Sequence, residues 1–213
     1  MKKCIAILLS ALLLILSGTS VFAVSIDSPE AEQAAQALYH FGLFKGKTPF
    51  PDGSPNFDLD ATLTREESVT LLVRLLAKEE EALERDWSHI AFTDISPWAL
   101  PYVGYAFENG LANGTSATTF DGAGNVTAAM FTTYVLRAMA YTDRNGEDFV
   151  WDTPWPLAEQ LLLTTPGEYG AHNNNHFTRA DAVTIMHRAL YIPRKWNDRM
   201  IYKVLVDEGV IQP

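Results

Sequence analysis

One cysteine, Cys4, stands in 213 residues, and it lies ahead of an apolar run near the N-terminus. Everything after it is therefore without disulfides, without a thiol nucleophile and without a thiolate-ligated metal. Basic residues are scarce too: 16 Lys and Arg face 26 Asp and Glu, a net charge of −10. That balance argues against nucleic acid and against anionic membrane surfaces, which both call for clustered cations. No strict polar-apolar alternation lasts long enough to build a sheet. No Gly-rich phosphate loop or nucleophile elbow occurs. No carboxylate pair stands out from the surface acids as a glycosidase would need. What remains is a mainly helical, acidic chain with no catalytic signature.

Residues 1–23 read as a signal peptide rather than as fold. Lys2 and Lys3 supply a positive start, Ile5 to Leu16 an apolar core, and Val21-Phe22-Ala23 a cleavage site. The apolar core is short for a membrane span and polar sequence follows it, so no membrane association is expected after cleavage. Without Lys2 and Lys3, 14 basic residues face 26 acidic ones, a net charge of −12 over residues 24–213.

What is present is an internal repeat. Thr64-Arg-Glu-Glu, Thr127-Ala-Ala-Met and Thr178-Arg-Ala-Asp each open an apolar run. Eight residues on stand Leu72, Val135 and Met186; ten on, Arg74, Arg137 and Arg188; twelve on, Leu76, Met139 and Leu190. A pattern recurring at fixed offsets marks one supersecondary unit used three times. Each Thr is a helix N-cap, and Glu67 and Asp181 complete capping boxes that Met130 cannot. Val69, Leu72, Val73 and Leu76 follow the spacing of a core-facing helical stripe. The three mid-helix arginines, beside core positions, suit bonds to loop carbonyls.

A first helix precedes each of these. Phe41-Gly42-Leu43-Phe44-Lys45-Gly46 and Asn109-Gly110-Leu111-Ala112-Asn113-Gly114 align 68 positions apart, with Gly42 and Gly110 as left-handed helix stops. In the middle unit Pro97-Trp98 is expected to start this helix and Asp94 to cap it. The third unit is worn: Asp152-Thr153-Pro154-Trp155 echoes Asp94 to Trp98, and its helix break is expected near Gly167 or Gly170. Ile201, Leu205 and Val206 before Gly209 predict one more first-type helix, capping an exposed repeat face. Lys78 to Arg85 reads as a charged helical extension with a solvated face, and Asp143 to Asp148 as a polar turn.

On these residues the chain resembles the S-layer homology family. The middle unit carries the fuller first half, Phe92-Thr93-Asp94-Ile95-Ser96-Pro97-Trp98, then Tyr102-Val103, Glu108-Asn109-Gly110-Leu111, Gly114 and Phe120. The second half is clearest in Leu63-Thr64-Arg65-Glu66-Glu67 and Phe177-Thr178-Arg179-Ala180-Asp181. The resemblance implies three helix-loop-helix units (24–85, 86–142 and a degenerate 143–192) forming a three-pronged pseudo-trimer, with 193–213 as a terminal extra helix. It further implies a non-catalytic module of the bacterial cell wall or surface. The grooves between prongs would hold an acidic secondary cell-wall polysaccharide, often bearing a pyruvate ketal. The motif arginine that supports recognition is Arg65 and Arg179 here, but Ala128 in the middle unit, so one groove lacks its main cation.

Chemistry supports arginine in that role. An acidic chain needs discrete donors to hold an anionic polymer, and guanidinium meets a carboxylate bidentately. Trp98 and Trp155 are candidates to pack on the C–H face of a sugar ring; the alternatives are solvated arginines and core tryptophans. His172 and His176 flank three asparagines that favour a loop over a metal-binding helix. The Asp52-to-Asp60 loop has Phe57 where a calcium loop needs glycine. Neither makes a metal site, and no cofactor is expected. The other reading is a degenerate envelope repeat protein that contacts another surface protein without glycan.

Overall fold

A computed structural model describes residues 29–169 and 176–212. The expected signal peptide, Gly170 and the residues 172–175 lie outside them. Eight α-helices carry the fold: α1 (Pro29–His40), α2 (Arg65–Leu75), α3 (Glu79–Glu84), α4 (Leu100–Glu108), α5 (Ala128–Ala138), α6 (Trp155–Gln160), α7 (Arg179–Leu190) and α8 (Ile201–Asp207). Among the described residues β-structure is limited to isolated bridges.

The threonine motif sets the starts of α2, α5 and α7. Thr64, Thr127 and Thr178 each accept from the backbone N–H three residues on, at 3.2, 3.2 and 3.4 Å. Glu67 and Asp181 return the bond to the cap N–H at 3.1 and 2.8 Å, and Met130 has no oxygen with which to do so. Further orphan donors are met by other units. Arg65 and Glu66 donate their backbone N–H to Gly124 and Gly122, and Arg179 and Ala180 donate theirs to Ala61 and Leu59. The start of each of these two helices is thus stitched to a loop from elsewhere in the chain.

α2, α5 and α7 pack against one another, with Leu72, Val135 and Met186 fully buried among them. The first-type helices cover this centre across unit boundaries: α4 lies on α2, α6 on α5, and α1 on α7. α1, at the start of the described chain, therefore rests on a helix near its end, where Arg188 reaches Glu30 at 2.8 Å.

Four first-type helices stop in one way. Leu43, Leu111, Leu163 and Val210 donate their N–H to Leu38, Ala106, Ala158 and Leu205, each just past a left-handed residue. That residue is glycine at 42, 110 and 209 but Leu162 in the third unit, at φ +61°. The break expected near Gly167 or Gly170 thus falls at Leu162. The hydrogen-bond pattern is the same at all four stops, with leucine at one where the other three have glycine.

Two further expectations are corrected. Asp94 does not cap α4; its carboxylate accepts from the backbone N–H of Phe120 and Asp121, both at 2.7 Å, and so fastens a loop. Ser96 to Ala99 form a turn, and α4 begins at Leu100 with a proline in its first turn. The 78–85 segment is helical and mostly exposed, as expected, and in addition α3 packs on α4, Ala82 is fully buried, and Ala82 O accepts from the Trp87 indole at 2.7 Å. That indole lies so close to Gly104 that any Cβ there would collide with it, which accounts for glycine inside α4. At the other end α8 buries Ile201 and Leu205, and Tyr202 sits between Phe41 and Tyr191.

Candidate functional site

Two clefts are built alike, mostly from residues at equivalent repeat positions. In the first, of about 170 Å³, the start of α7 supplies Arg179, α2 supplies Glu67, Thr70, Leu71 and Arg74, and the loop after α1 supplies Lys45 to Lys47. Trp98, half exposed, comes from the turn before α4. In the second, of about 440 Å³, Arg65 takes the place of Arg179, and Met130, Thr133, Tyr134 and Arg137 of α5 replace the α2 residues. Asn113 to Thr115 replace Lys45 to Lys47, and Trp151 stands where Trp98 does.

The first cleft is cationic. Lys45, Lys47, Arg74 and Arg179 confront two carboxylates: Lys47 pairs with Glu67 at 2.8 Å, while Lys45 and Arg74 share Glu79 just behind. Burial pushes the Glu79 carboxyl up, but hydrogen bonds from Lys45, Arg74 and Tyr102 outweigh it and bring it down to about 2. Burial likewise raises Glu67, and Lys47, the Thr64 N–H and Arg179 pull it below its ordinary value. Both acids therefore stay ionised at neutral pH, and two positive charges remain over.

Arg179 is 4% exposed, donates Nε–H to Phe57 O at 2.8 Å, and lies over the Phe44 ring. Its Nη2 is buried with no hydrogen-bond partner among the described residues. A buried donor left unmatched costs roughly 1–3 kcal/mol, more when it is charged. An anionic oxygen that reached it would recover that cost. Burial draws the guanidinium pKa down, against the pull of Glu67 and Asp58.

Arg65 is equally buried, but four of its five N–H donors are used. Nε binds Phe120 O at 2.9 Å, Nη2 binds Asn113 O at 3.0 Å, and Nη1 binds the Tyr134 hydroxyl at 2.9 Å and the Met130 sulfur at 3.4 Å. Two contacts differ. Leu71 stands where Tyr134 meets Arg65 Nη1, and Arg179 Nη2 has no counterpart of the Asn113 carbonyl that Arg65 Nη2 reaches.

Of the expected site residues, Arg179 and Trp98 come together in the first cleft and Arg65 lines the second. Trp155 lies in neither; it is half-buried and stacked on Tyr169 at 5.8 Å. Lys45, Lys47, Tyr134 and Trp151 were not singled out by sequence reasoning. The Lys-Gly-Lys around Gly46, opposite Asn-Gly-Thr around Gly114, was the available signal. The mid-helix arginines are braces: Arg137 Nη1 and Arg188 Nη1 bind Leu111 O and Leu163 O at 3.2 and 3.3 Å, in each case the carbonyl after the left-handed residue.

The middle unit also matches a known family. Residues 91–127 match the S-layer homology domain. A protein of Thermoanaerobacter kivui named "Cell surface protein" is 29% identical over 191 residues, covering 88% of this chain and 24% of that protein. The chain spans about a quarter of the length of that relative. The chain is a cell-surface or cell-wall protein whose residues 91–127 are similar to the S-layer homology domain.

Proposed function

We propose that the chain is a non-catalytic anchoring module that holds an acidic cell-wall polysaccharide in the Arg179 cleft. In this reading residues 24–85, 86–142 and 143–192 are three S-layer homology units. They form a three-pronged pseudo-trimer closed by α1 on α7, with 193–213 as a terminal cap and 1–23 removed on export. The observation that carries the proposal is the partnerless, buried Nη2 of Arg179, in a cleft where four cations face two carboxylates on an otherwise acidic chain. Lys45 and Lys47 attract the polymer's carboxylates, the Arg179 guanidinium adds a fixed positive charge at the cleft wall, and Trp98 offers an apolar face to the adjoining ring.

Arg65 has a different part. Its guanidinium ties α2 to the 113–120 loop and to Tyr134, and four of its five N–H donors are used in doing so. Together with Ala128, this reduces the anionic grooves to one. The test is co-sedimentation with purified wall sacculi, before and after chemical removal of the pyruvylated polymer. Pelleting that requires the polymer and is lost in Arg179→Lys, while Arg65→Lys still pellets, supports the assignment. Pelleting that ignores the polymer favours the other reading, contact with a surface protein.

A further inference from the structure

Glu66 is the residue of the threonine motif that has no counterpart in the other units. Thr64-Arg65-Glu66-Glu67 opens α2, whereas Ala129 and Ala180 stand at the same place in α5 and α7. Its side chain does not face solvent: Glu66 is 4% exposed. A buried carboxylate is costly unless something bonds to it. The first turn of α2 offers it the positive end of the helix dipole, and the carboxylate accepts from the backbone N–H of Ser96 at 2.7 Å. Gly122 leaves room for it, since a Cβ there would collide with the Glu66 side chain first.

Ser96 is the pivot of the turn that carries Trp98. Its N–H is held by Glu66, and its carbonyl accepts from the N–H of Ala99 and Leu100 at 2.9 and 3.2 Å, which closes the turn and leads into α4. Trp98 stands inside that turn, half exposed, at the Arg179 cleft. Among the described residues its indole makes no hydrogen bond and no ring contact. Trp87 and Trp155, by contrast, are fixed by the Ala82 carbonyl and the Tyr169 ring. The pose of Trp98 is thus inherited from the backbone of its turn. The second cleft fastens its tryptophan by another route. There Thr133 donates to the Trp151 carbonyl at 2.7 Å. Its counterpart Thr70 turns instead to the Glu66 carbonyl at 2.9 Å, and the Glu66 carboxylate takes over the tie. We propose that Glu66 is the positioning residue for Trp98, holding through the Ser96 N–H the turn that presents the indole to the Arg179 cleft. Adjacent residues of one helical turn then serve different clefts: Arg65 braces the second, and Glu66 sets the tryptophan of the first. This deepens the Arg179 proposal and rests on it for any effect on binding.

The test has two readouts on the full chain, and the first needs no ligand: 15N relaxation at the Ser96 backbone N–H and the Trp98 indole N–H. The Ser96 order parameter is expected near ~0.85 in the parent and below ~0.6 in Glu66→Ala. The Trp98 indole should loosen in step, while the Trp151 indole stays as it was. Glu66→Gln keeps an acceptor oxygen and should restore the parent values. Gly122→Ala leaves the carboxylate in the chain but displaces it, and should copy Glu66→Ala. The second readout is affinity for purified acidic wall polysaccharide. Glu66→Ala and Trp98→Ala should each weaken it about fivefold. The double variant should lose no more than Trp98→Ala alone, because residues that act through one another are not additive. Ordered Ser96 and Trp98 in both Glu66→Ala and Gly122→Ala overturn the proposal, and so does a double variant whose loss is the product of the two single losses. If the parent does not bind the polymer, the Arg179 reading fails, and the relaxation readout still decides the role of Glu66.

Discussion

Leu71 and Tyr134 occupy one repeat position and give two buried arginines different chemistry. Both arginines were legible in the sequence as the second residue of a repeated motif; which of them keeps an open donor was not. That depends on residues from other helices, such as a tyrosine 69 positions from Arg65, and on lysines that reach Arg179 from the far end of the chain. Glu79 is the residue that most clearly couples the cationic cleft to stability. Its carboxyl is depressed from 4.5 to about 2 by Lys45, Arg74 and Tyr102. A depressed acid stabilises the folded state above its unfolded value and loses that contribution as pH falls through the folded one. Glu79→Gln should therefore cost about 1–2 kcal/mol near neutral pH, after allowance for solvent screening. The gap between variant and parent should close between pH 4.5 and 2. Thermal melts across that range check it, and a gap independent of pH would contradict it.

At the level of elements, the sequence announced what was local. Threonine caps, capping boxes at Glu67 and Asp181, and glycine stops at 42, 110 and 209 all follow from residues a few positions apart. Leu162 escaped because no local rule expects leucine in a left-handed stop; the helix at 78–85 was legible, but the burial of Ala82 beside Trp87 and α4 was not, because those partners lie outside it. Leu162 is 73% exposed, so its side chain recovers little by packing. Leu162→Gly should relieve the left-handed penalty of roughly 1–2 kcal/mol, partly offset by glycine's greater freedom when unfolded. The net gain is about 0.5–1 kcal/mol, or a Tm rise of about 2–4 °C. Gly110→Ala should move Tm the other way. A fall in Tm for Leu162→Gly, measured by circular dichroism, would mean the stop is not strained.

Across the whole molecule, the repeat is a unit of sequence and not of packing. Each first-type helix among α1, α4 and α6 covers the motif helix of a different unit, an arrangement that the repeat alone does not reveal. No unit buries its own apolar face without the others. Unfolding should accordingly be a single calorimetric transition with equal calorimetric and van't Hoff enthalpies; separate transitions would show the units to be independent. The same interlocking positions Lys45 and Lys47 beside Arg179, which makes the binding proposal a property of the closed assembly. The most direct measurement is the affinity of the parent and of Lys45→Ala/Lys47→Ala for purified acidic wall polysaccharide at 0.05 and 0.5 M NaCl. Both lysines are substantially exposed, so the fold should survive their removal. The account predicts at least a tenfold loss at low salt, about 1.4 kcal/mol, together with a flattened salt dependence. Equal affinity and an unchanged salt response in the double variant would contradict it.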